Sequence, residues 1–210
     1  MNEREEILGL SLNYNSHLVQ LRGTEAAICL MLDELNIGNA YLQVPVEYEQ
    51  VALSKHPSFV SKVIIMLMSI KKGSENIRIS KTPEKLSIED STEISDLLSQ
   101  ANLALWGGSV EEVKSRFEDS SWIGVRETEK LVSVGAARLN DYGSLIGPIV
   151  TLEPHRNRGC ATTIVSAFVR EALKTSSTPA ISVKSNNLPA IRVYTSIGFE
   201  HYKSYVFLGT

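Results

Sequence analysis

The chain has 210 residues, of which 43% are hydrophobic and 21% are charged, and its formal net charge is −3. This size suits one domain with a sizeable core, or one domain and a smaller unit, and the acidic balance argues against the broad basic face that nucleic-acid binding needs. The longest strongly apolar run, residues 63–68, is far shorter than the roughly 20 residues of a membrane-spanning helix, and residues 1–6 are not a secretory signal. We therefore expect a cytoplasmic protein without a membrane or nucleic-acid partner.

Residues 1–75 contain few diagnostic motifs. Residues 25–35 have apolar side chains at helical spacing, residues 41–44 read as a strand, and residues 57–70 fit either a buried helix or a buried strand. The polar, turn-rich stretch 71–76 predicts a connector. We therefore expect a smaller N-terminal segment over residues 1–75 and a larger domain over residues 76–210.

The pattern between residues 76 and 152 predicts a strand, two helices and then three strands with antiparallel neighbours. Ser87 is placed to open the first helix, whose apolar face extends to Ala101, and Ser109 is placed to cap the second. The strands are expected at residues 77–80, 122–126, 131–139 and 145–152.

Gly147 and Pro148 interrupt the last of these strands. A proline has no N–H group to donate to a sheet ladder, so it occurs in sheets mainly at bulges and edges. The pair therefore predicts a β-bulge or an edge position.

The junction between this strand and a strongly periodic helix over residues 161–173 is the most informative part of the chain. It reads Arg156, Asn157, Arg158, Gly159, Cys160 and Ala161. The first N–H groups of a helix lack intrahelical acceptors and carry the positive end of its dipole, so together with two arginines they suit a bound diphosphate. The dipole contributes only about 0.3–1 kcal/mol, so the individual N–H bonds must carry most of the binding.

Other interpretations of the junction can be compared on the same residues. A dinucleotide-binding fingerprint needs three spaced glycines, and an NTP-binding loop needs Gly-Lys-Ser/Thr; neither pattern occurs here. An ordinary basic helix start is the remaining alternative for these six residues.

A second stretch, from Asn187 to Phe199, follows a strand predicted at residues 180–184. Its spacing Asn-x-x-Ala-x-x-x-Tyr-x-x-x-Gly-Phe, together with Arg-x-x-Gly-x-Ala in the junction, resembles the acyl-coenzyme A-binding half of the GNAT superfamily of N-acetyltransferases. Within that superfamily the chain looks most similar to the glycine N-acyltransferase-like branch. The resemblance covers residues 76–210.

The resemblance implies an α/β (α+β) architecture: a mixed, mostly antiparallel twisted sheet flanked by helices, preceded here by a smaller N-terminal α/β segment. Residues 1–75 would then be a short or degenerate half-domain. Acetyl-CoA is the implied co-substrate, and the implied reaction is direct transfer of an acetyl group to a primary amine. The implied coenzyme contacts are Ile149, Val150, Thr151, Arg156, Asn157, Arg158, Gly159, Cys160, Ala161, Thr162, Asn187 and Tyr194.

Tyr194 is also the implied catalytic residue, facing the sulfur atom that leaves. With reference pKa values of about 10 for tyrosine and about 8.5 for a thiol, full proton transfer to the thiolate is roughly 2 kcal/mol uphill. A hydrogen bond from the tyrosine to the sulfur is therefore the easier role.

The acceptor is expected to be a small-molecule amine or an amino acid, with a protein amine as an alternative. Such an amine is mostly protonated at neutral pH, so a base or desolvation must help. Glu127, Asp141 and Glu153, near expected strand ends, are candidate bases, although carboxylates at such positions are more often solvated surface groups. Trp106 and Trp122 fit either a wall of the acceptor pocket or the core.

The two cysteines and four histidines have no metal-ligand spacing, so no metal is expected. Cys160 is predicted to pack in the core rather than to act as a nucleophile. A non-catalytic acyl-CoA-binding sensor or regulatory subunit is the competing function. A homodimer is compatible with the sequence.

Overall fold

A computed structural model of the protein describes residues 6–14, 17–100, 108–175 and 178–210. The strands are β1 (Gly9–Tyr14), β2 (Leu18–Gly23), β3 (Tyr41–Pro45), β4 (Ser61–Ser69), β5 (Glu84–Lys85), β6 (Ser121–Glu127), β7 (Lys130–Arg138), β8 (Ser144–Thr151), β9 (Pro179–Lys184) and β10 (Glu200–Gly209). The α-helices are α1 (Glu25–Glu34), α2 (Glu49–Lys55), α3 (Ser91–Gln100), α4 (Val110–Arg116), α5 (Cys160–Ala172) and α6 (Leu188–Ile197). No helix among the described residues combines the length and the apolar character needed to span a bilayer.

The chain divides into two compact units. The first comprises Met1–Leu67, Val183–Asn186 and Tyr202–Thr210, and the second comprises Met68–Ser182 and Asn187–His201. That residues 76–210 carry the function, and residues 1–75 do not, stays a prediction.

The first unit contains a mixed sheet whose strands lie in the order β1-β2-β3-β10-β4. β1 and β2 are antiparallel, β2 and β3 are parallel, and β3 and β10 are antiparallel. Helix α1 packs Ile28 and Leu32 against Leu21, Leu42 and other buried strand residues. The run at residues 57–70, which fitted a helix or a strand, forms β4 next to β10.

The second unit contains a sheet in the order β9-β8-β7-β6-β5, in which only β8 and β9 are parallel. Helices α3 and α4 pack on one face over Trp122 and Val134. Helix α5 packs on the other face so closely that a methyl group at Gly135 would lie 2.6 Å from the Ile164 side chain. Helix α6 contacts α5. The predicted class, a mixed and mostly antiparallel sheet flanked by helices, is confirmed.

Two predicted helix starts are also confirmed. Ser87 makes a capping box with Asp90 in the short 3-10 turn that leads into α3. Ser109 makes a capping box with Glu112 at the start of α4. Ala101 and Trp106 lie outside the described residues.

The strand predicted at residues 77–80 is wrong. This stretch is extended but belongs to no sheet, and the first strand of the second unit is the short β5. The backbone N–H of Arg78 donates to the Ser166 hydroxyl at 3.1 Å. The N–H groups of Ser80 and Lys81 donate to the Thr163 hydroxyl at 3.2 and 3.3 Å. Because side chains of α5 satisfy these donors, the stretch needs no strand partner.

The interruption at Gly147 and Pro148 is a β-bulge, as predicted. In the pairing of β7 with β8, Gly135 lies opposite Ile149, whereas Ala137 lies opposite Ile146. Two residues of β8 therefore stand opposite the single Ala136, and the register shifts at this point.

Candidate functional site

The start of α5 is the first part of the candidate site. Gly159 is the N-cap residue and has left-handed backbone geometry, with φ 82°. Its carbonyl oxygen accepts the first helical hydrogen bond, from the Thr163 N–H at 2.9 Å. The N–H groups of Cys160, Ala161 and Thr162 therefore lie in the first turn, where a helix offers them no acceptor, at the positive end of the dipole.

The loop before α5 turns through two left-handed residues, Asn157 with φ 60° and Gly159. Arg156, Asn157 and Arg158 are exposed to solvent. The left-handed φ of Gly159 favours glycine, and a methyl group there would lie 2.5 Å from the Ser80 hydroxyl oxygen, so the Ser80 side chain would have to move. The loop thus presents two guanidinium groups to solvent beside a helix turn whose first N–H groups have no helical acceptor.

Glu127, at the end of β6, gathers three basic side chains near this loop. Its carboxylate lies 3.0 Å from Lys81 Nζ, 2.9 Å from His155 Nδ1 and 3.7 Å from Arg158 Nη1. Hydrogen bonds from Lys81 and His155 lower the pKa of Glu127 below its ordinary value. The carboxylate is therefore ionised and paired, and its role is to hold the loop, β6 and the extended stretch together.

This pairing bears on the choice of general base. A base with a lowered pKa has a weak tendency to take a proton, so Glu127 is poorly suited to that role. Asp141 lies in the exposed turn between β7 and β8, at the opposite end of β8 from the loop. Glu153 lies in the 3-10 turn before the loop and is exposed.

The second part of the site is the end of β8. Leu152 N–H donates to Val132 carbonyl oxygen, so residues 152 and 150 direct their backbone groups toward β7. By the alternation of a strand, the N–H groups of Ile149 and Thr151 point away from β7. In the described part of the chain, β9 pairs with β8 only from Ser144 to Ile146. The outward groups of Ile149 and Thr151 therefore face an edge that no described strand occupies.

Two contacts tie the end of β8 to its surroundings. The Thr151 hydroxyl lies 2.8 Å from the Ser133 hydroxyl. Arg156 Nε donates to the Thr151 carbonyl oxygen at 3.3 Å. The loop and the strand end are thus joined by a side chain of the loop itself.

The third part is α6, which contains Asn187 and Tyr194. The Asn187 side-chain oxygen caps the helix by accepting from the Ala190 N–H at 3.3 Å, which leaves the two amide hydrogens of its exposed side chain outside this bond. Tyr194 is only 7% exposed, and its ring lies 6.2 Å from that of Phe199. Burial raises the pKa of Tyr194 to about 12.

The remaining candidates have structural roles. Cys160 is buried, and burial raises the pKa of its thiol, which disfavours the nucleophilic thiolate. Trp122 is fully buried in the core beneath α3 and α4, so it forms no exposed pocket wall, and its indole N–H has no hydrogen-bond partner in the described ranges of the chain. Among the described residues, no group of three His, Cys, Asp or Glu side chains could hold a metal ion.

Sequence reasoning missed Ser80 and Lys81 as neighbours of the loop. Ser80 and Lys81 precede the loop by more than seventy residues, and no local motif marks them. Only the hydrogen bonds of the stretch 78–81 to α5 bring them to the loop.

Comparison with known proteins gives one family match. The family model described as FR47-like protein matches residues 122–208, a stretch shorter than half of the chain. A search of curated proteins gave no match.

Several solved structures are similar. An acetyltransferase from the GNAT family of Colwellia psychrerythraea has a TM-score of 0.66 and 14% identity, over 100% of this chain and 84% of that one. A GCN5-related N-acetyltransferase from Kribbella flavida has a TM-score of 0.67 and 15% identity, over 91% of this chain and 80% of that one. A tandem GNAT protein from the clavulanic acid biosynthesis pathway has a TM-score of 0.60 and 13% identity, over 100% of this chain and 80% of that one. The chain therefore has the fold of the GNAT acetyltransferases.

Proposed function

We propose that this protein is an N-acyltransferase that moves an acetyl group from acetyl-CoA to a primary amine by direct transfer. The observation that carries the proposal is the start of α5, where a left-handed glycine, two exposed arginines and three first-turn N–H groups form one anion-binding surface. The GNAT fold supports the same chemistry.

The diphosphate of acetyl-CoA fits the loop residues. The side chains of Arg156 and Arg158 supply charge-assisted hydrogen bonds, and the backbone from Gly159 to Thr162 supplies N–H donors. The left-handed conformation of Asn157 turns the chain around the anion. Cys160 and Ala161 contribute through their backbone, since the side chain of Cys160 is buried.

The pantetheine arm and the thioester fit the free edge of β8. An extended arm with amide groups binds there in the way that a peptide adds a strand to a sheet, using the outward N–H groups of Ile149 and Thr151. Val150 faces β7 and the core, so its role is to hold the strand in register. The amide hydrogens of Asn187 are donors for the carbonyl groups of the arm.

Tyr194 serves the leaving group. The amine nitrogen attacks the acetyl carbon, the carbon–sulfur bond breaks, and the thiolate must be stabilised. With the pKa of Tyr194 raised to about 12, complete proton transfer to a thiolate is roughly 5 kcal/mol uphill against a thiol pKa of about 8.5. We therefore assign Tyr194 a hydrogen bond to the sulfur, and the thiolate takes its proton later from the acceptor amine or from solvent.

The acceptor is a small amine or an amino acid, with a protein amine as the alternative. Because Glu127 is ion-paired and Asp141 lies at the far end of β8, the routes to the neutral amine are desolvation or proton transfer through water to Glu153. We also propose that residues 1–75 are a degenerate half-domain, which the match of a tandem GNAT protein to the whole chain supports.

Calorimetric titration with acetyl-CoA, followed by thiol release across a panel of amines, tests the function. We expect binding and release with at least one amine. Tyr194→Phe should lower turnover while leaving acetyl-CoA affinity within about threefold, since only the hydroxyl is lost. Binding without release across a broad panel would contradict the transferase and favour a sensor, and absence of binding would contradict both.

A further inference from the structure

β1 is the outermost strand of the sheet in the first unit, and no described strand pairs with its outer edge. Leu21 of β2 packs in the core beside α1, and its cross-strand partner in β1 is Ser11. The residues of β1 that face the helix are therefore polar or small, while the apolar ones face the opposite side. These apolar residues are Leu8, which directly precedes the strand, and Leu10, Leu12 and Tyr14, which are between 49% and 67% exposed.

This edge lacks the usual protection against pairing. Natural edge strands carry a lysine, a proline or an inward-pointing charge, or they are very short. Residues 9–14 contain no proline and no charged residue. With six residues, β1 is of ordinary strand length.

One hydrogen bond shows which residues of β1 direct their N–H and C=O groups toward β2. Thr24 N–H donates to the Leu8 carbonyl oxygen at 2.9 Å, so Leu8 directs its backbone groups toward β2. By alternation, Leu10 and Leu12 do the same, and the backbone groups of Gly9 and Ser11 point to the outer edge.

These positions are self-complementary under a two-fold axis. If two β1 strands pair antiparallel with Ser11 opposite Ser11 of the second copy, the outward backbone groups of both serines bond to each other. Leu10 then lies opposite Leu12 of the second copy, in the pair type where Cα atoms are only about 4.5 Å apart. The next pair brings Leu8 opposite Tyr14 of the second copy. The same register thus joins both the backbone groups and the apolar side chains.

Both the backbone and the side chains contribute to this contact. Pairing of the two strands would satisfy the outward backbone groups of both copies and would cover the sides of Leu8, Leu10, Leu12 and Tyr14 that meet across the axis. Such a surface on a monomer is otherwise a liability for aggregation.

We propose that β1 pairs with β1 of a second copy of this chain, forming a symmetric homodimer centred on Ser11. The sheet of the first unit continues across the two-fold axis, and the leucine and tyrosine side chains form an apolar stripe on one face. This interface is independent of the acyltransfer chemistry.

Sedimentation equilibrium over a concentration series tests the association. The wild-type protein should have twice the chain mass of 23.2 kDa. The double variant Leu10→Lys with Leu12→Lys should have a dimer dissociation constant at least tenfold higher than that of the wild type. Leu30→Lys is the matched control, because Leu30 is 59% exposed but lies on α1. It should dimerise like the wild type.

Cysteine cross-linking tests the register without weakening the interface. In a background of Cys29→Ser, the variant Ser11→Cys should form an intermolecular disulfide under mild oxidation. The two Cα atoms of such a pair are about 5.5 Å apart, which is within the range for a disulfide. Asn13→Cys is the control on the same strand, since position 13 lies opposite position 9 in this register and should not cross-link.

Two results would overturn the proposal. A monomer at every concentration would show that the edge is not used by a second copy. A dimer that persists in the double lysine variant, or that cross-links no better through Ser11→Cys than through Asn13→Cys, would place the interface elsewhere.

Discussion

Ser80 and Gly159 lie in contact although they are far apart in sequence: a methyl group at Gly159 would come within 2.5 Å of the Ser80 hydroxyl oxygen and 3.8 Å of its Cβ atom. The stretch around Ser80 is held there by its backbone bonds to Thr163 of α5. The loop at the start of α5 is therefore supported from the side by a segment that is not part of its motif.

Replacing Gly159 by alanine should both destabilise the fold and weaken the binding of acetyl-CoA. An alanine in left-handed geometry costs about 1–2 kcal/mol, and the clash with Ser80 adds to it. We expect the free energy of unfolding, measured with urea, to fall by about 2 kcal/mol and acetyl-CoA affinity to fall about tenfold. Gly143→Ala is the control, because a methyl group there meets its nearest atom only at 3.9 Å.

The contact itself can be isolated with a second substitution. Ser80→Ala removes the oxygen at 2.5 Å and leaves a Cβ atom at ordinary contact distance. It should therefore restore part of the stability of Gly159→Ala while having little effect alone. A purely additive pair of effects would contradict the proposed contact.

Replacing Thr163 by valine should detach the stretch that contains Ser80 and Lys81. The Thr163 hydroxyl accepts from both backbone N–H groups, and valine leaves them without this acceptor. We expect the free energy of unfolding to fall by about 1–3 kcal/mol, as for other lost buried acceptors. Thr162→Val, whose hydroxyl makes no hydrogen bond with a described residue, should change stability by less than about 0.5 kcal/mol.

Replacing Glu127 by glutamine distinguishes a structural carboxylate from a general base. Because its pKa is lowered by Lys81 and His155, we expect kcat to stay within about threefold, whereas loss of a general base would cost about 10²–10⁴-fold. A lowered pKa also means that Glu127 stabilises the fold above its ordinary pKa and that this contribution is lost as the pH falls through the folded-state pKa. Acid unfolding of Glu127→Gln should therefore depend less steeply on pH than that of Glu153→Gln, whose parent side chain is exposed.

Replacing Tyr194 by phenylalanine should alter stability at high pH. Burial raises the pKa of Tyr194 to about 12, whereas in the unfolded chain the side chain ionises near pH 10. Its contribution to the free energy of unfolding is therefore complete below pH 10 and is lost as the pH rises toward 12. The free energy of unfolding, measured with urea, should fall between pH 9 and pH 11 by about 1 kcal/mol more for the wild type than for Tyr194→Phe. Tyr142→Phe should behave like the wild type, because Tyr142 is 98% exposed. An equal drop in all three proteins would place the Tyr194 hydroxyl in a solvated position.

Several features of the second unit could be predicted from the sequence because they depend on neighbours along the chain. A capping serine and its partner are three residues apart, as in Ser109 and Glu112, and the apolar stripe of α5 repeats within one helix. The bulge at Gly147 and Pro148 follows from the missing N–H of a single residue. The position of the loop before α5 could also be predicted, since Arg156, Arg158 and Gly159 lie within four residues, while its role in binding stays a prediction.

The tertiary structure alone decided the features that depend on distant partners. Residues 77–80 alternate like a strand, yet hydroxyl groups of α5 take up their backbone donors in place of a neighbouring strand. The sequence made Glu127 a candidate base, whereas the structure pairs its carboxylate with Lys81 and His155. An alternating pattern indicates only that one face is apolar and that the backbone groups need hydrogen-bond partners. Which groups become those partners depends on packing between segments that are far apart in the chain.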